Sequence, residues 1–236
     1  MPTEGGRAVE ECSLSCADCG SAGCINGTGN YPAFCTTARL AEGELEEALA
    51  AGNLPENQKV LKAAARVEYE GYCRLTRVEE TMDFARRMGF HKIGIATCAG
   101  LLKESRALAR ILRANGFEVC SIACKAGMAD KTLVGIDADC RAVGINMCNP
   151  ILQARHLNRL GTELNIVVGL CVGHDSMFCK YSDALVTTLV AKDRVTGHNP
   201  AAVLYQVDGY YKRLLHPRED GEGRIVSARI RGARHP

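Results

Sequence analysis

Hydrophobic and polar positions recur at a helical period from Glu44 to about Gly89, and strand-like and helical stretches alternate after it. From Glu44 to about Glu70 the apolar residues recur at helical spacing in two pieces. ELEEALAAGN closes on Gly52-Asn53, and Pro55 opens the second piece. TRVEETMDFARRMG predicts a further helix: Thr76 and Glu79 write a capping box, and Gly89 is a natural stop. Beyond it HKIGIATC reads as a strand, and GLLKESRALARILRANG as an amphipathic helix closed by Asn115-Gly116. FEVCSIAC is a second strand, and the three together make a βαβ unit with parallel strands and a right-handed crossover. Residues 125–147 carry no period and read as a loop. Asn149-Pro150 supply an N-cap and a first-turn proline for a helix to about Leu160. LNIVVGL is a buried strand, a short helix is expected near Asp175–Tyr181, and ALVTTLVA is the next strand. Asn199-Pro200 repeat the cap signal and predict a helix across AAVLYQVDGYYKRLL.

The expected fold is α/β: a doubly wound, mostly parallel sheet preceded by a small cysteine-rich metal module and helices. The expected organisation is a metal module over 1–40, a helical linker over 41–90 and an α/β core over 91–216. Residues 217–236, charged and Gly-rich, read as a mobile tail.

Composition narrows the function classes. The 236 residues carry 29 basic and 27 acidic side chains, a net charge of +2, with no basic run of the kind that grips nucleic acid or a membrane. Trp is absent and aromatics make up 5%, which removes the usual surfaces for stacking bases, so no nucleic-acid partner is expected. MPTEGGRAVEEC lacks the apolar stretch of a signal peptide, and the longest apolar run, LNIVVGLCVG, is too short to span a bilayer. A cytoplasmic protein without membrane association is the expectation. In that reducing compartment 13 cysteines point to metal sites rather than disulfides.

Cys16, Cys19, Cys24 and Cys35 lie within twenty residues, in a segment too poor in large apolar residues to build a core. A C-x-x-C pair aims two sulfurs at one metal, and two further thiolates close the shell. Zinc or an iron–sulfur cluster would suit this N-terminal site, with a structural role as a staple. Cys12, Cys16 and Cys19 also spell C-x-x-x-C-x-x-C, but no strand precedes them as in a radical S-adenosylmethionine loop.

The second group is spread through the core. Cys98, Cys124 and Cys171 end predicted strands, and Cys148 stands just before the Asn149 cap. In a parallel sheet these places share the edge where the strands' carboxyl ends open a crevice. A lone cysteine at a strand end is more often a small buried hydrophobe. Four at equivalent places favour a common centre, read as an iron–sulfur cluster of the 4Fe–4S kind, with zinc as the other thiolate-loving candidate. Cys73, between helices, and Cys120, mid-strand, fit plain packing; Cys179 is expected to face a helix core, and Cys140 to be a loop thiol or a fifth ligand.

Polar groups gather on the same edge. His174 and Asp175 follow Cys171; Lys192, Asp193 and Arg194 end a strand; and His198 precedes the Asn199 cap. Lys192 and Arg194 would offset thiolate charge or hold an anion, and His174 would be a ligand or proton donor. His174, Asp175, Lys192, Arg194 and His198 are the candidate catalytic residues, though each also fits a solvated, capping loop. GIATCAGLL lacks G-x-G-x-x-G, and neither a Walker loop nor H-E-x-x-H occurs, so no nucleotide cofactor is expected.

The stretches CADCGSAGC, TRVEETMDFARRMGFHKIGIATCAGL, MCNPILQA, LNIVVGLCVGHDSMF and LVAKDRVTGHNPAA resemble an uncharacterised prokaryotic cysteine-rich family, described as metal-binding and typical of anaerobes. The resemblance runs from about Cys16 to Tyr211. It implies an N-terminal metal motif on Cys16, Cys19, Cys24 and Cys35 and a core set on Cys98, Cys124, Cys148 and Cys171. It implies no reaction. Two functions therefore compete: an iron–sulfur redox or sulfur-transfer enzyme with a small anionic substrate or a redox partner protein, and a non-catalytic, zinc-stapled accessory or assembly subunit of a metalloenzyme complex.

Overall fold

The computed structural model describes residues 14–216; Cys12 and the expected tail over 217–236 lie outside them. The chain divides into two compact units, Met1–Ala65 and Arg66–Pro236.

The first unit holds a 3-10 turn at Cys16–Asp18, α1 (Thr36–Arg39), α2 (Glu44–Gly52) and the start of α3 (Pro55–Gly71). Across residues 14–43 the one buried residue is Gly23. The segment is held by short polar ties: Ser15 and Asp18 make a capping box, Ser21 Oγ donates to the Asn30 carbonyl at 3.1 Å, and Cys16 Sγ meets Thr36 Oγ1 at 3.4 Å.

The second unit is the α/β body. Its helices and strands are α4 (Arg77–Met88), β1 (Lys92–Thr97), α5 (Leu102–Ala114), β2 (Glu118–Ala123), α6 (Pro150–Arg159), β3 (Leu164–Val168), α7 (His174–Tyr181), β4 (Leu185–Val190) and α8 (Ala201–Leu204). The sheet order is β2-β1-β3-β4 and every pairing is parallel. The chain first steps from β1 to β2, then returns past β1 to β3. That reversal places a switch point between the carboxyl ends of β1 and β3, where crossover helices diverge and a crevice opens.

Burial explains the order. Ile93–Thr97 and Leu164–Val168 are buried throughout, as central strands must be, whereas β2 and β4 are partly exposed edges. Ser105 of α5 donates to Thr97 on one face at 2.6 Å, while Leu157 of α6 lies over Gly94 on the other. Gly94 is there because Asn165 crosses from β3: a Cβ at Gly94 would stand 2.0 Å from Asn165 Oδ1. Asn165 is itself fully buried and satisfied, taking a bond from Thr162 and giving one to Ser182.

The signals at α4 and α6 act as expected. Thr76 and Glu79 cap each other's backbone, Gly89 closes α4 in the left-handed conformation, and Asn149 caps α6 through Leu152 N–H at 2.9 Å. The helix expected across residues 201–215 does not form beyond Leu204; turns and a short 3-10 segment at Lys212–Leu214 follow it. Leu204, Tyr205 and Tyr210 are 71%, 80% and 83% exposed, so no buried stripe rewards a longer helix. Among the described residues no helix is long and apolar enough to cross a membrane.

Candidate functional site

Three strand ends and one loop deliver thiols to the carboxyl edge. The β1 ladder continues one residue past the strand, with Cys98 N–H on the Val168 carbonyl at 3.0 Å, and the β2 ladder likewise, with Cys124 N–H on Thr97 O at 2.8 Å. Cys98 and Cys124 are therefore fixed side by side, and both are buried. Cys148 arrives from the far end of a long loop. Asn149 N–H bonds the Cys124 carbonyl at 2.8 Å, which sets Cys148 beside Cys124 just as α6 begins. The loop is shut at its base by an antiparallel bridge between Asp130 and Asn146, by Met147 N–H on Ala129 O, and by Lys125 Nζ on the Asn146 carbonyl.

Gln153, 1% exposed, fastens the floor. Its amide donates to Thr97 O at 3.1 Å and to Ile122 O at 2.8 Å, so it ties together the strand ends that carry Cys98 and Cys124. Cys171 follows β3 after a turn at Gly169, whose φ of +65° and close approach to Leu101 suit only glycine. The Cys171 carbonyl then accepts the first N–H groups of α7, from His174 and Asp175.

The charge pattern follows from these neighbours. Cys124 sits between Cys98 and Cys148 and shares side-chain hydrogen bonding with both; with burial added, this pushes its thiol strongly upward. Its two partners move the other way. Cys98 is lowered to about 5, by Cys124 first, then by the Gly100 N–H and the Lys192 ammonium against an opposing burial cost. Cys148 is lowered to about 6, again by Cys124 first, with Lys125 and His174 adding positive charge. The Ala99 N–H donates to Cys124 Sγ at 3.3 Å. Arg194 donates to Cys171 Sγ at 3.2 Å, and the fields of Cys98 and Cys148 also reach it. The result is a group of soft sulfur donors, two of them favoured as thiolates, under cationic cover.

Of the five candidate catalytic residues, Lys192 and Arg194 stand at the thiols, while His174 bonds the Cys171 carbonyl through its backbone N–H and reaches Cys148 through its charge. His198 is spent within its own loop: its Nδ1 accepts the Asp193 N–H at 3.1 Å and its N–H donates to Asp193 O. Asp175 takes the Ser176 N–H at 2.8 Å, within its own turn. Cys179, expected against a helix core, is exposed; the buried residue of α7 is its neighbour Phe178. Gln153 and Lys125 were not singled out from sequence. A lone Gln on a helix and a Lys after a strand give no signal until the loop is closed.

In the first unit Cys16 and Cys24 are exposed and Cys19 and Cys35 half-buried. Hydrogen bonds from Ser21 and nearby backbone lower the Cys19 thiol. Among the described residues no three or more His, Cys, Asp or Glu side chains stand as a group that could hold a metal ion. Each thiol set offers donor chemistry rather than a closed shell.

A family model described as "Protein of unknown function (DUF1847)" matches residues 35–189. The matched span takes in Cys98, Cys124, Cys148 and Cys171 and stops short of Lys192 and Arg194. The uncharacterized protein MJ0455 of Methanocaldococcus jannaschii is 46% identical over 160 residues, covering 68% of this chain and 82% of that protein. No solved structure matches the chain.

Proposed function

This chain belongs to the DUF1847 family of proteins of unknown function, and we propose that it is a metal protein whose working centre is held by Cys98, Cys124, Cys148 and Cys171. The observation that carries this reading is the convergence at one sheet edge of thiols far apart in sequence, with Cys124 interacting with Cys98 and Cys148 at once. Their chemistry fits an iron–sulfur cluster best. The donors are all sulfur. N–H groups of Ala99 and Gly100 point at them, as they do around cluster sulfurs. Lys192 and Arg194 lower the cost of burying a thiolate-rich group. When bound, such a cluster supplies electron transfer or a site for sulfur chemistry. The chain's part is to hold four thiolates in a partly buried crevice, to set the local potential through Lys192, Arg194 and Lys125, and to present His174 at the rim as a proton donor.

A second centre belongs to Cys16, Cys19, Cys24 and Cys35, with zinc or a cluster as a staple. What supports it is the near-absence of buried side chains over residues 14–43, a segment with little else to hold it. If this staple were the sole metal, the zinc-stapled accessory reading would take precedence.

Single replacements test the core assignment. Ala at Cys98, Cys124, Cys148 or Cys171 should each lower bound metal by the same increment in protein prepared without oxygen. Ala at Cys120, which stands mid-strand in β2, should leave metal content unchanged. Equal metal in all five variants and the wild type would remove the core site.

A further inference from the structure

We infer that the carboxyl edge contains a subsite for a small anion, walled by Lys192, Arg194 and the open backbone of Gly100 above the Cys98 thiol. The inference deepens the metal-centre reading by naming the class of ligand its crevice admits. Three features carry it. First, the cations have no carboxylate partners among the described residues. None of the ion pairs among the described residues involves Lys125, Lys192 or Arg194. The carboxylates of the same loops are engaged elsewhere: Asp193 Oδ1 accepts the Val195 and Thr196 N–H groups, and Asp175 Oδ1 accepts that of Ser176.

Second, access is built in at Gly100. Its backbone is not in the left-handed region, so no conformational need calls for glycine there. A Cβ at this place would meet only Cys98 Sγ and Lys192 Nζ, both at 3.8 Å. The missing side chain therefore leaves an exposed opening over a thiol and an ammonium together. Third, Arg194 is exposed while holding Cys171, so its guanidinium has donors left for a second acceptor. An anion resting between Lys192 and Arg194 lies within reach of a soft sulfur edge, which suits small sulfur anions over bulky organic ones.

Equilibrium binding of thiosulfate and of sulfate to the full chain, with metal content measured on the same samples, tests this. Thiosulfate should bind saturably below ~10 mM. Lys192→Met and Arg194→Met should each weaken it about tenfold or more, the loss of a charge-assisted contact. Gly100→Leu should block binding, while Gly100→Ala, which fits at ordinary contact distance, should bind nearly as the wild type. Sulfate weaker than thiosulfate assigns the subsite to sulfur anions; equal binding assigns it to small oxyanions in general. No saturable binding of either anion, or affinities unmoved by Lys192→Met and Arg194→Met, overturns the subsite. Metal lost from the wild type overturns the centre instead, and the two failures are read from separate measurements.

Discussion

Single residues decide how closely the two central strands approach. Gly94 faces Asn165 across the β1–β3 pair, and the contact leaves no room for a methyl group. Gly94→Ala should lower stability by about 2–3 kcal/mol, read as a lower urea midpoint at unchanged slope, because neither the buried Asn165 nor Leu157 has space to yield. A shift under about 0.5 kcal/mol would mean that the strands part easily. At this scale the sequence was informative about kinds and silent about partners. A cysteine at a strand's end marks an edge position, so Cys98, Cys124 and Cys171 could be placed from the alternation alone. That Cys124 lies between Cys98 and Cys148 depends on the Asn149–Cys124 backbone bond, which joins residues 25 apart and leaves no local mark. His198 and Asp175 show the converse. Their proximity in sequence to site residues was real, but the side-chain hydrogen bonds they make lie inside their own loops.

At the scale of elements, caps and turns transmit local chemistry to the site. Asn149 caps α6 through its side chain and bonds the Cys124 carbonyl through its backbone N–H, so the cap steadies the backbone that sets Cys148 beside Cys124. Asn149→Ala should cost about 1 kcal/mol of stability and speed metal loss to a chelator. Thr76→Ala should cost a similar amount with no change in that rate, since α4 carries none of the thiols. Equal rates for both variants would uncouple the α6 cap from the site. The helices and strands were legible wherever a cap, a period and a buried face agreed, as at α4, α5 and α6. One reading failed for want of a buried face. After Asn199-Pro200 the cap signal stands, yet the following apolar residues have no surface to cover, and the helix stops after one turn. The loop over 125–147 was readable as irregular. Its closure by Asp130, Asn146 and Lys125 was not, because pairings across a loop have no periodic trace.

For the whole molecule, the alternation of strands and helices was enough to give the parallel α/β class and the edge at which Cys98, Cys124 and Cys171 stand. The division after Ala65 was not visible, because α3 runs through it without a break in pattern. The first unit makes its own test. Replacing Cys16 or Cys19 by Ser should release one metal increment and render residues 14–43 sensitive to protease while the α/β body stays resistant; protection retained after metal loss would show that the segment needs no staple. The central claim, that the α/β body carries a thiolate-held iron–sulfur centre, meets its most direct test in one preparation. Protein purified without oxygen should be brown, with a broad absorbance band near ~400 nm and acid-labile sulfide in step with iron. The band should vanish in Cys98→Ala and persist in Cys16→Ser. A colourless protein containing zinc alone, or no metal, would contradict it.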